Sequence, residues 1–269
     1  MSATVSTTGP AVGSAPPRSA ATTVRGLISA ELLKLTTTRS ARWIVLSAAA
    51  LAALAISGVV ASGGVRADAL PTEAGLRTVL LHGGMSTILP LILGILVSAG
   101  EYRHGTVVDT FLTEPRRGLV VAAKAAAGAV VGLLLGLLVA VTTALTASLW
   151  YAAKDVELDL SSTLAVRSLA GIVAWSVLYT VLGVAVGSLI RSPAAAIVSV
   201  VVWLTVVETA VAGLLVEVGR WLPATAASTL GGSPLDGLLP QAGAGGVLLG
   251  WTALAAGAAV LVTARRDVG

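Results

Sequence analysis

Residues 125–150 read AAAGAVVGLLLGLLVAVTTALTASLW, a stretch with no charged side chain and a tryptophan at its end. An α-helix rises about 1.5 Å per residue, so about 20 apolar residues are enough to cross the hydrocarbon core of a bilayer. The surface of a soluble protein does not accommodate so long a helix without polar residues. This stretch therefore predicts a membrane-spanning helix, and it indicates that the chain folds in a lipid bilayer.

The composition of the whole chain agrees with that prediction. Of its 269 residues, 56% are hydrophobic and 11% are charged, whereas soluble domains carry about 25% charged residues. Alanine, valine, leucine and glycine dominate, and small residues let helices pack closely in lipid. The strict alternation that is typical of β-barrel strands is missing. There is no cysteine, which excludes disulfides and thiolate metal sites.

Five further apolar runs accompany the first. The six predicted spans are about 43–62, 78–99, 125–150, 168–190, 194–215 and 243–262. Pro90 predicts a kink in the second, because its ring and its missing N–H disrupt the helical ladder. Ser192 as an N-cap and Pro193 in the first turn predict a tight helical hairpin between the fourth and the fifth. A Gly- and Pro-rich loop is expected before the sixth. The prediction is an all-α integral membrane protein with six transmembrane helices.

The region before the first span divides into two parts. Residues 1–22 are mostly small and polar, which predicts a disordered cytoplasmic tail and does not fit a signal peptide. From Thr23 to about Arg39 the apolar residues recur at helical spacing, which predicts an amphipathic helix in the membrane interface. Its apolar stripe consists of Val24, Ile28, Leu32 and Leu35. An ordinary juxtamembrane extension is the alternative. Residues 23–269 then form one six-span domain.

The distribution of basic residues predicts the orientation. If the N-terminus is inside, five of the 17 Lys and Arg residues fall in outer loops, and the other twelve fall on the inner side. The outer five are Arg66, Arg77, Lys154, Arg167 and Arg220. Lys and Arg are retained on the cytoplasmic side, so both termini are expected there. The net charge of +4 is thus a topological signal, and no nucleic-acid partner is expected.

The loop after the second span carries the most specific pattern. It begins with Glu101-Tyr102-Arg103-His104-Gly105-Thr106 and continues with an apolar face of Val107, Val108, Phe111 and Leu112. Thr106 and Asp109 predict a capping box, and Pro115 is expected to end the helix. The result is a short amphipathic helix on the cytoplasmic face, suited to a partner that grips it. A loop that only rests on lipid is the alternative.

Together with Ala30-Glu31-Leu32-Leu33-Lys34-Leu35 in the N-terminal helix, this loop resembles the ABC-2-type transporter permeases. In that family Glu-Tyr/Phe-x-x-Gly-Thr is followed by a Leu and a Pro-Arg pair, here Leu112, Pro115 and Arg116. The resemblance implies a non-catalytic permease subunit of an ATP-driven exporter in the plasma membrane. It also implies a second permease copy or homologue, and a separate cytoplasmic ATPase that uses ATP and Mg²⁺. The chain itself has no Gly-x-x-x-x-Gly-Lys-Ser/Thr motif and is expected to bind no cofactor.

The resemblance further implies that the loop is a coupling helix that docks on the ATPase. The implied contact residues are Glu101, Tyr102, Arg103, His104, Gly105, Thr106, Val107, Phe111, Leu112 and Pro115. Among these we expect polar contacts from Glu101 and Arg103. The apolar side chains of Val107, Phe111 and Leu112 would fill a groove of the ATPase.

Glu208 is the acidic residue that lies well inside a predicted span, where a carboxylate is costly and indicates function by default. It could line a transport path, or it could reach water or pair with Arg220 or Arg167. His82 has no cluster of ligands beside it, so no metal site is expected. Glycines in the third and fourth spans predict close helix contacts, within the subunit or between copies. These are Gly128, Gly132, Gly136, Gly183 and Gly187.

Two other functions compete with a permease. A secondary transporter driven by an ion gradient would show intramembrane charges and broken helices near the midplane, and the single carboxylate and single proline offer little of either. A non-transporting resistance, immunity or assembly factor is also compatible with the sequence. Hydrolase signatures such as His-Glu-x-x-His and Gly-x-Ser-x-Gly are absent from the chain, so no enzymatic activity is expected.

Overall fold

The structure, a computed structural model, describes residues 20–37, 39–233 and 237–265. It contains twelve α-helices in that part of the chain and no strand. They are α1 (Ala20–Thr37), α2 (Arg39–Ala61), α3 (Glu73–Gly84), α4 (Ile88–His104), α5 (Val107–Thr113), α6 (Arg117–Ala153), α7 (Thr163–Ile190), α8 (Pro193–Val202), α9 (Glu208–Leu214), α10 (Val216–Gly219), α11 (Pro223–Leu230) and α12 (Gln241–Arg265). The predicted tail falls largely outside the described residues, although Ala20–Thr22 already belong to α1.

Six helical stretches are long and apolar enough to cross a membrane, which confirms that part of the prediction. They run over Arg42–Ala61, Glu73–His104, Arg117–Ala153, Thr163–Ile190, Pro193–Leu214 and Gln241–Arg265. The helices extend past the apolar runs: the second continues to His104 and the third begins at Arg117. Hydropathy marks the apolar part of a helix, whereas its ends are set by caps and breaking residues.

The second and fifth stretches are interrupted. A 3₁₀ turn at Met85–Thr87 separates α3 from α4. Pro90 has no N–H to donate to the carbonyl of Ser86, four residues earlier, so the irregularity falls where the predicted proline effect should act. A π-helical turn at Trp203–Val207 separates α8 from α9, and no feature of the sequence had indicated it.

Helix α7 is packed closely between α4 and α6. A side chain on Gly94 would collide with the carbonyl oxygen of Thr180, and one on Gly183 would collide with that of Leu91. Ser98 and Ser188 share a hydrogen bond of 2.6 Å across the same contact. Gly132 and Gly136 face the backbone of α7 in the same way. The glycines therefore bring helices together within the subunit.

The hairpin between α7 and α8 forms as predicted. Arg191 ends α7 in the left-handed conformation, with φ of 60°. The hydroxyl of Ser192 accepts the N–H of Ala195, and Pro193 occupies the first turn of α8.

The connection between α9 and α12 differs from the expected loop. It contains α10 and α11, and most residues of α11 are buried. Leu230 at the end of α11 lies against Gly171, in the first turns of α7. Arg191, at the other end of α7, contacts Tyr102 at the end of α4. Helices α11 and α5 therefore lie at opposite ends of the bundle.

Candidate functional site

The turn between α4 and α6 is built from two chain breaks around α5. Helix α4 ends at His104, and Gly105 follows in the left-handed conformation with φ of 72°, which glycine adopts without a steric penalty. Helix α5 then runs from Val107 to Thr113. Pro115 follows, and α6 begins at Arg117. A short helix therefore lies between the second and third apolar helices.

The predicted capping box is wrong. The side chain of Thr106 makes no capping hydrogen bond, because Thr106 has helical backbone angles of φ −70° and ψ −10°. Within the helix, the hydroxyl of Thr113 donates to the backbone carbonyl of Asp109 at 2.6 Å. At the far end of α5, the Glu114 carboxylate accepts hydrogen bonds from the backbone N–H and the Nε of Arg116. These bonds hold the pKa of Glu114 below its usual range and raise that of Arg116.

Helix α5 exposes an apolar face, but not with every residue that was expected. Val107 is buried, whereas Val108 is exposed and Leu112 is 79% exposed. Residues four apart share a helix face, so Val107 and Phe111 lie on the inner face and Val108 and Leu112 on the outer one. The Arg117 guanidinium lies 5.4 Å from the centre of the Phe111 ring. Val107, which was expected to fill a groove of a partner, is therefore buried within the subunit, and Val108 is the exposed valine of the two.

A shallow cavity of about 250 Å³ lies beside the exposed face of α5. Its lining consists of Val108, Phe111, Leu112, Pro115 and Arg117. The mostly apolar lining is suited to an apolar side chain of a partner.

The residues of the Glu101–Thr106 motif divide between two environments. Arg103, His104, Gly105 and Thr106 are exposed. Glu101, by contrast, is only 9% exposed, and it lies within the last turn of α4. The half-buried Tyr102 ring packs against the Arg191 guanidinium at 5.0 Å. Glu101 and Tyr102 therefore make their contacts inside the subunit, and Arg103 to Thr106 form the surface that a partner could reach.

Glu101 belongs to a group of four charged side chains that we call the charge cluster: Glu31, Lys34, Glu101 and Lys124. Lys124 Nζ lies 2.7 Å from Glu31 Oε2 and 2.8 Å from Glu101 Oε1. Lys34 Nζ lies 2.7 Å from Glu101 Oε1 and 2.9 Å from Glu31 Oε1. The cluster has no net charge, and it joins α1 to both α4 and α6.

The charge cluster is mostly buried, which makes its pairing important. Glu31 and Lys124 are each 4% exposed, and Lys34 is half-exposed. Partial burial disfavours the charged form of Lys34, but hydrogen bonds to Glu101 and Glu31 outweigh it and raise the pKa of Lys34. A buried charge is tolerated when a counter-charge and hydrogen bonds replace its water. This pairing explains how α4 and α6 continue through Glu101 and Lys124.

Glu208 is buried at the opposite end of the bundle, and it neither reaches water nor pairs with an arginine as the peripheral alternative expected. It is 2% exposed, so it does not reach water within the subunit. Arg220 pairs with Glu217 at 2.6 Å, and among the described residues neither Arg220 nor Arg167 forms an ion pair with Glu208. Its Oε2 instead accepts the backbone N–H of Ala224 at 2.7 Å. Pairing with either arginine was therefore a wrong expectation.

His82 has a local contact only. Its Nδ1 lies 2.7 Å from the carbonyl oxygen of Thr78, one turn earlier. Across the described ranges, no group of three or more His, Asp or Glu side chains is arranged to hold a metal ion.

Neither the charge cluster nor the surroundings of Glu208 could be identified from the sequence. Glu31 and Lys34 are three positions apart, which indicates that they share a helix face, but nothing in the sequence points to Lys124. The partner of Glu208 is a backbone N–H, which every residue except proline carries, so the sequence cannot indicate it.

Comparisons with models of protein families and with curated proteins find no match to this chain.

Proposed function

We propose that this chain is the membrane permease subunit of an ABC-2-type, ATP-driven exporter. Its six apolar helices would cross the plasma membrane with both termini in the cytoplasm. A separate cytoplasmic ATPase would bind and hydrolyse ATP with Mg²⁺, and a second copy or a homologue would complete the path. The observation that carries the proposal is the apolar outer face of α5, between the second and third apolar helices.

That face is unusual because it lies on a polar turn. Leu112 is exposed, and the nearby Arg103, His104 and Arg116 are exposed and polar. Fully burying a leucine contributes about 1.5–3 kcal/mol, so an apolar groove with an acidic edge in a partner would bind this surface. Lipid could also cover it, and a binding experiment separates the two.

The geometry supports different roles for different residues of the predicted coupling motif. Val108 and Leu112 would enter the groove of the ATPase, and Arg103 and His104 would contact its rim. Glu101 would act as a positioning residue, because it fixes the end of α4 to α1 and α6 through the charge cluster. Movement of the ATPase would then displace α5, α4 and α6 together, with α1 following through Glu31 and Lys34.

Two observations favour a second candidate, a secondary transporter driven by an ion gradient. Glu208 is a buried carboxylate in an apolar helix, and two of the six apolar helices are interrupted, at Met85–Thr87 and at Trp203–Val207. Both features are typical of transporters that bind ions at broken helices. That mechanism would need no ATPase at α5.

Co-purification tests the first proposal. The tagged chain is purified from its native membranes, and the accompanying proteins are identified by mass spectrometry and assayed for ATP hydrolysis. We expect an ATP-binding-cassette protein with the wild-type chain and at least a tenfold loss of it with the V108D/L112D variant. The matched control is Thr113→Asp, which adds a charge at an exposed but already polar position of α5. Equal recovery of the ATPase with all three chains would refute the docking role of α5.

The sidedness of α5 is tested separately. Because the chain has no cysteine, a His104→Cys variant carries a single reactive thiol on the exposed turn. Membrane-impermeant maleimide should label it in inverted vesicles and not in intact cells. Labelling in intact cells would place the turn on the wrong side for a cytoplasmic ATPase.

A further inference from the structure

Helix α11 occupies the interior of the bundle at the end opposite α5. Ala226 and Ala227 are fully buried, and Leu230 is nearly so. They belong to a core cluster that also contains Trp175 and Tyr179 of α7, whose rings meet edge to face at 5.6 Å. Apart from Pro223 and Leu230, α11 consists of Ala, Ser and Thr. These small side chains gain little from burial, so the position of the helix requires other contacts.

The first contact is at the N-terminus of α11. Glu208 Oε2 accepts the N–H of Ala224 at 2.7 Å, next to Pro223 in the first turn. The N–H of Thr225 and the side chain of Trp203 also lie close to the carboxylate, although neither reaches Oε1 with hydrogen-bond geometry. The N-terminal end of a helix carries about half a positive charge. Within the described residues it is the positive group that this carboxylate faces.

The π turn before Glu208 directs the side chain to this place. An α-helix advances 100° per residue, so after twelve residues Glu208 would lie about 120° around the helix from the buried Ala196. The wider turn at Trp203–Val207 removes much of that rotation. Glu208 is buried as a result, whereas Val206 and Thr209 beside it are exposed. π turns are often found at functional positions.

The second contact is at the C-terminus of α11. The side-chain amide of Gln241, at the start of α12, donates to the carbonyl of Leu230 at 2.7 Å and to that of Arg167 at 2.8 Å. A side chain at Gly171 would collide with the Leu230 carbonyl, so this glycine allows the end of α11 to approach α7. The Glu208 carboxylate thus accepts a hydrogen bond at the N-terminal end of α11, and the Gln241 amide donates one at its C-terminal end.

We propose that Glu208 and Gln241 form a two-point clamp that holds α11 in the bundle as a releasable cover over Trp175 and Tyr179. Glu208 is then a positioning residue rather than a ligand for a transported ion. Each end of α11 forms one hydrogen bond with a side chain of a neighbouring helix. Because α11 has only eight residues, loss of either bond should expose the whole helix. This inference is independent of an ATPase partner, and it removes Glu208 as an ion ligand from the secondary-transporter alternative.

A single cysteine in α11 tests the clamp. Thr229→Cys places a side chain of similar size at a buried position of α11, and the rest of the chain has no thiol. The purified full chain is reconstituted in nanodiscs, where both faces are accessible, and the rate of maleimide labelling is measured. We expect slow labelling in this background and an increase of about tenfold or more with Glu208→Leu, as for loss of a hydrogen bond to a charged group. Glu208→Gln should give a smaller increase, since its amide oxygen still accepts the N–H.

Gln241→Met provides a second route to the same result, because it releases the other end of α11 from a partly exposed position. Glu217→Gln is the matched control, since this exposed carboxylate in the same connection pairs with Arg220 alone among the described residues and should leave labelling unchanged. The clamp is refuted if either Glu208→Leu or Gln241→Met labels as slowly as the parent, or if Glu217→Gln labels as fast as they do.

Discussion

Glu101 and Glu208 are buried carboxylates at opposite ends of the same bundle, and they are stabilised in different ways. The Glu101 carboxylate forms ion pairs with the ammonium groups of two lysines, both within 2.8 Å, and it belongs to a cluster without net charge. Glu208 receives one backbone N–H at 2.7 Å and faces the end of a helix. The Glu101 site combines full charges from three helices, whereas Glu208 faces only the partial charge at the end of the short helix α11.

The difference indicates what each end of the bundle can do. Removing one partner of a buried ion pair costs about 3–5 kcal/mol, because it leaves an uncompensated charge. A single hydrogen bond to a charged group contributes about 1.5–3 kcal/mol. The charge cluster therefore resists separation and can transmit a displacement from α5 to α1. The hydrogen bonds of the proposed clamp on α11 contribute less free energy, so a conformational change can break them.

The largest effect is expected from Lys124→Met. It leaves Glu31 and Glu101 to share Lys34, so the cluster acquires a net negative charge in a buried position, and we expect a loss of about 3–5 kcal/mol. Thermal unfolding of the detergent-solubilised chain, followed by the fluorescence of its six tryptophans, measures this loss.

The double variant Glu31→Leu with Lys124→Met is the control for that prediction. It restores neutrality by removing a facing pair, and replacement of a buried pair by apolar residues is often close to neutral. We expect it to recover most of the lost stability. A double variant that is as unstable as Lys124→Met alone would show that the cluster is held by shape and not by charge.

The two ends also differ in how far the sequence could predict them. Apolar runs predicted the six long helices, because a bilayer requires about 20 apolar residues whatever their order. Val107 and Val108 are adjacent and chemically identical, so only the helical phase of α5 reveals that the second one is exposed. The charge cluster joins residues that are 67 and 93 positions apart, a relation that hydropathy does not contain.

Helix α11 was missed for a different reason. Its sequence, PATAASTL, is too short and too polar for an apolar run, and Pro and Gly nearby favour a loop. Its burial depends on Glu208, Gln241 and the absence of a side chain at Gly171, which come from three other helices. Glu208 was recognised as unusual because a carboxylate in an apolar helix is costly, but the group that compensates it belongs to the backbone.

The second prediction compares the two carboxylates directly. Glu101→Gln removes a charge from between two lysines but keeps an oxygen that accepts their hydrogen bonds, and water solvates the half-exposed Lys34. We therefore expect a loss of about 2 kcal/mol, smaller than that for Lys124→Met and within the range for hydrogen bonds to charged groups. Glu208→Gln keeps an acceptor for Ala224 and loses only the additional strength of a charged acceptor, about 1 kcal/mol. The same thermal unfolding assay measures both changes.

Arg103→Gln is the control for the Glu101 half of this comparison. Arg103 is exposed on the same turn as Glu101, and we expect it to leave stability unchanged while weakening ATPase recovery. If Glu101→Gln leaves stability unchanged and weakens only the recovery of the ATPase, Glu101 is a contact residue after all. If Glu208→Gln costs as much as Glu101→Gln, the two ends are equally rigid and the contrast between them fails.

The smallest effect is a dependence on alkaline pH, which separates Lys34 from the rest of the cluster. Its hydrogen bonds raise the pKa of Lys34 above 10.5 in the folded chain, whereas an unfolded lysine titrates near 10.4. The folded state thus binds this proton more tightly. Its contribution to stability is complete below about pH 10.4 and is lost as the pH rises through the higher folded pKa.

Because Lys34 is half-exposed, water screens the pair and the contribution should be about 0.5 kcal/mol or less. The melting temperature of the wild-type chain should therefore fall slightly more between pH 10 and pH 11.5 than that of Lys34→Met. Lys154→Met, which removes an exposed lysine from the α6–α7 connection, should follow the wild type. Identical profiles for all three chains would mean that the ion pairs of Lys34 contribute no measurable stability and that Lys124 alone joins α1 to α4 and α6. In that case α1 is fastened by one ion-pair centre, and the cluster would resemble the single-contact site at Glu208 more closely than its geometry indicates.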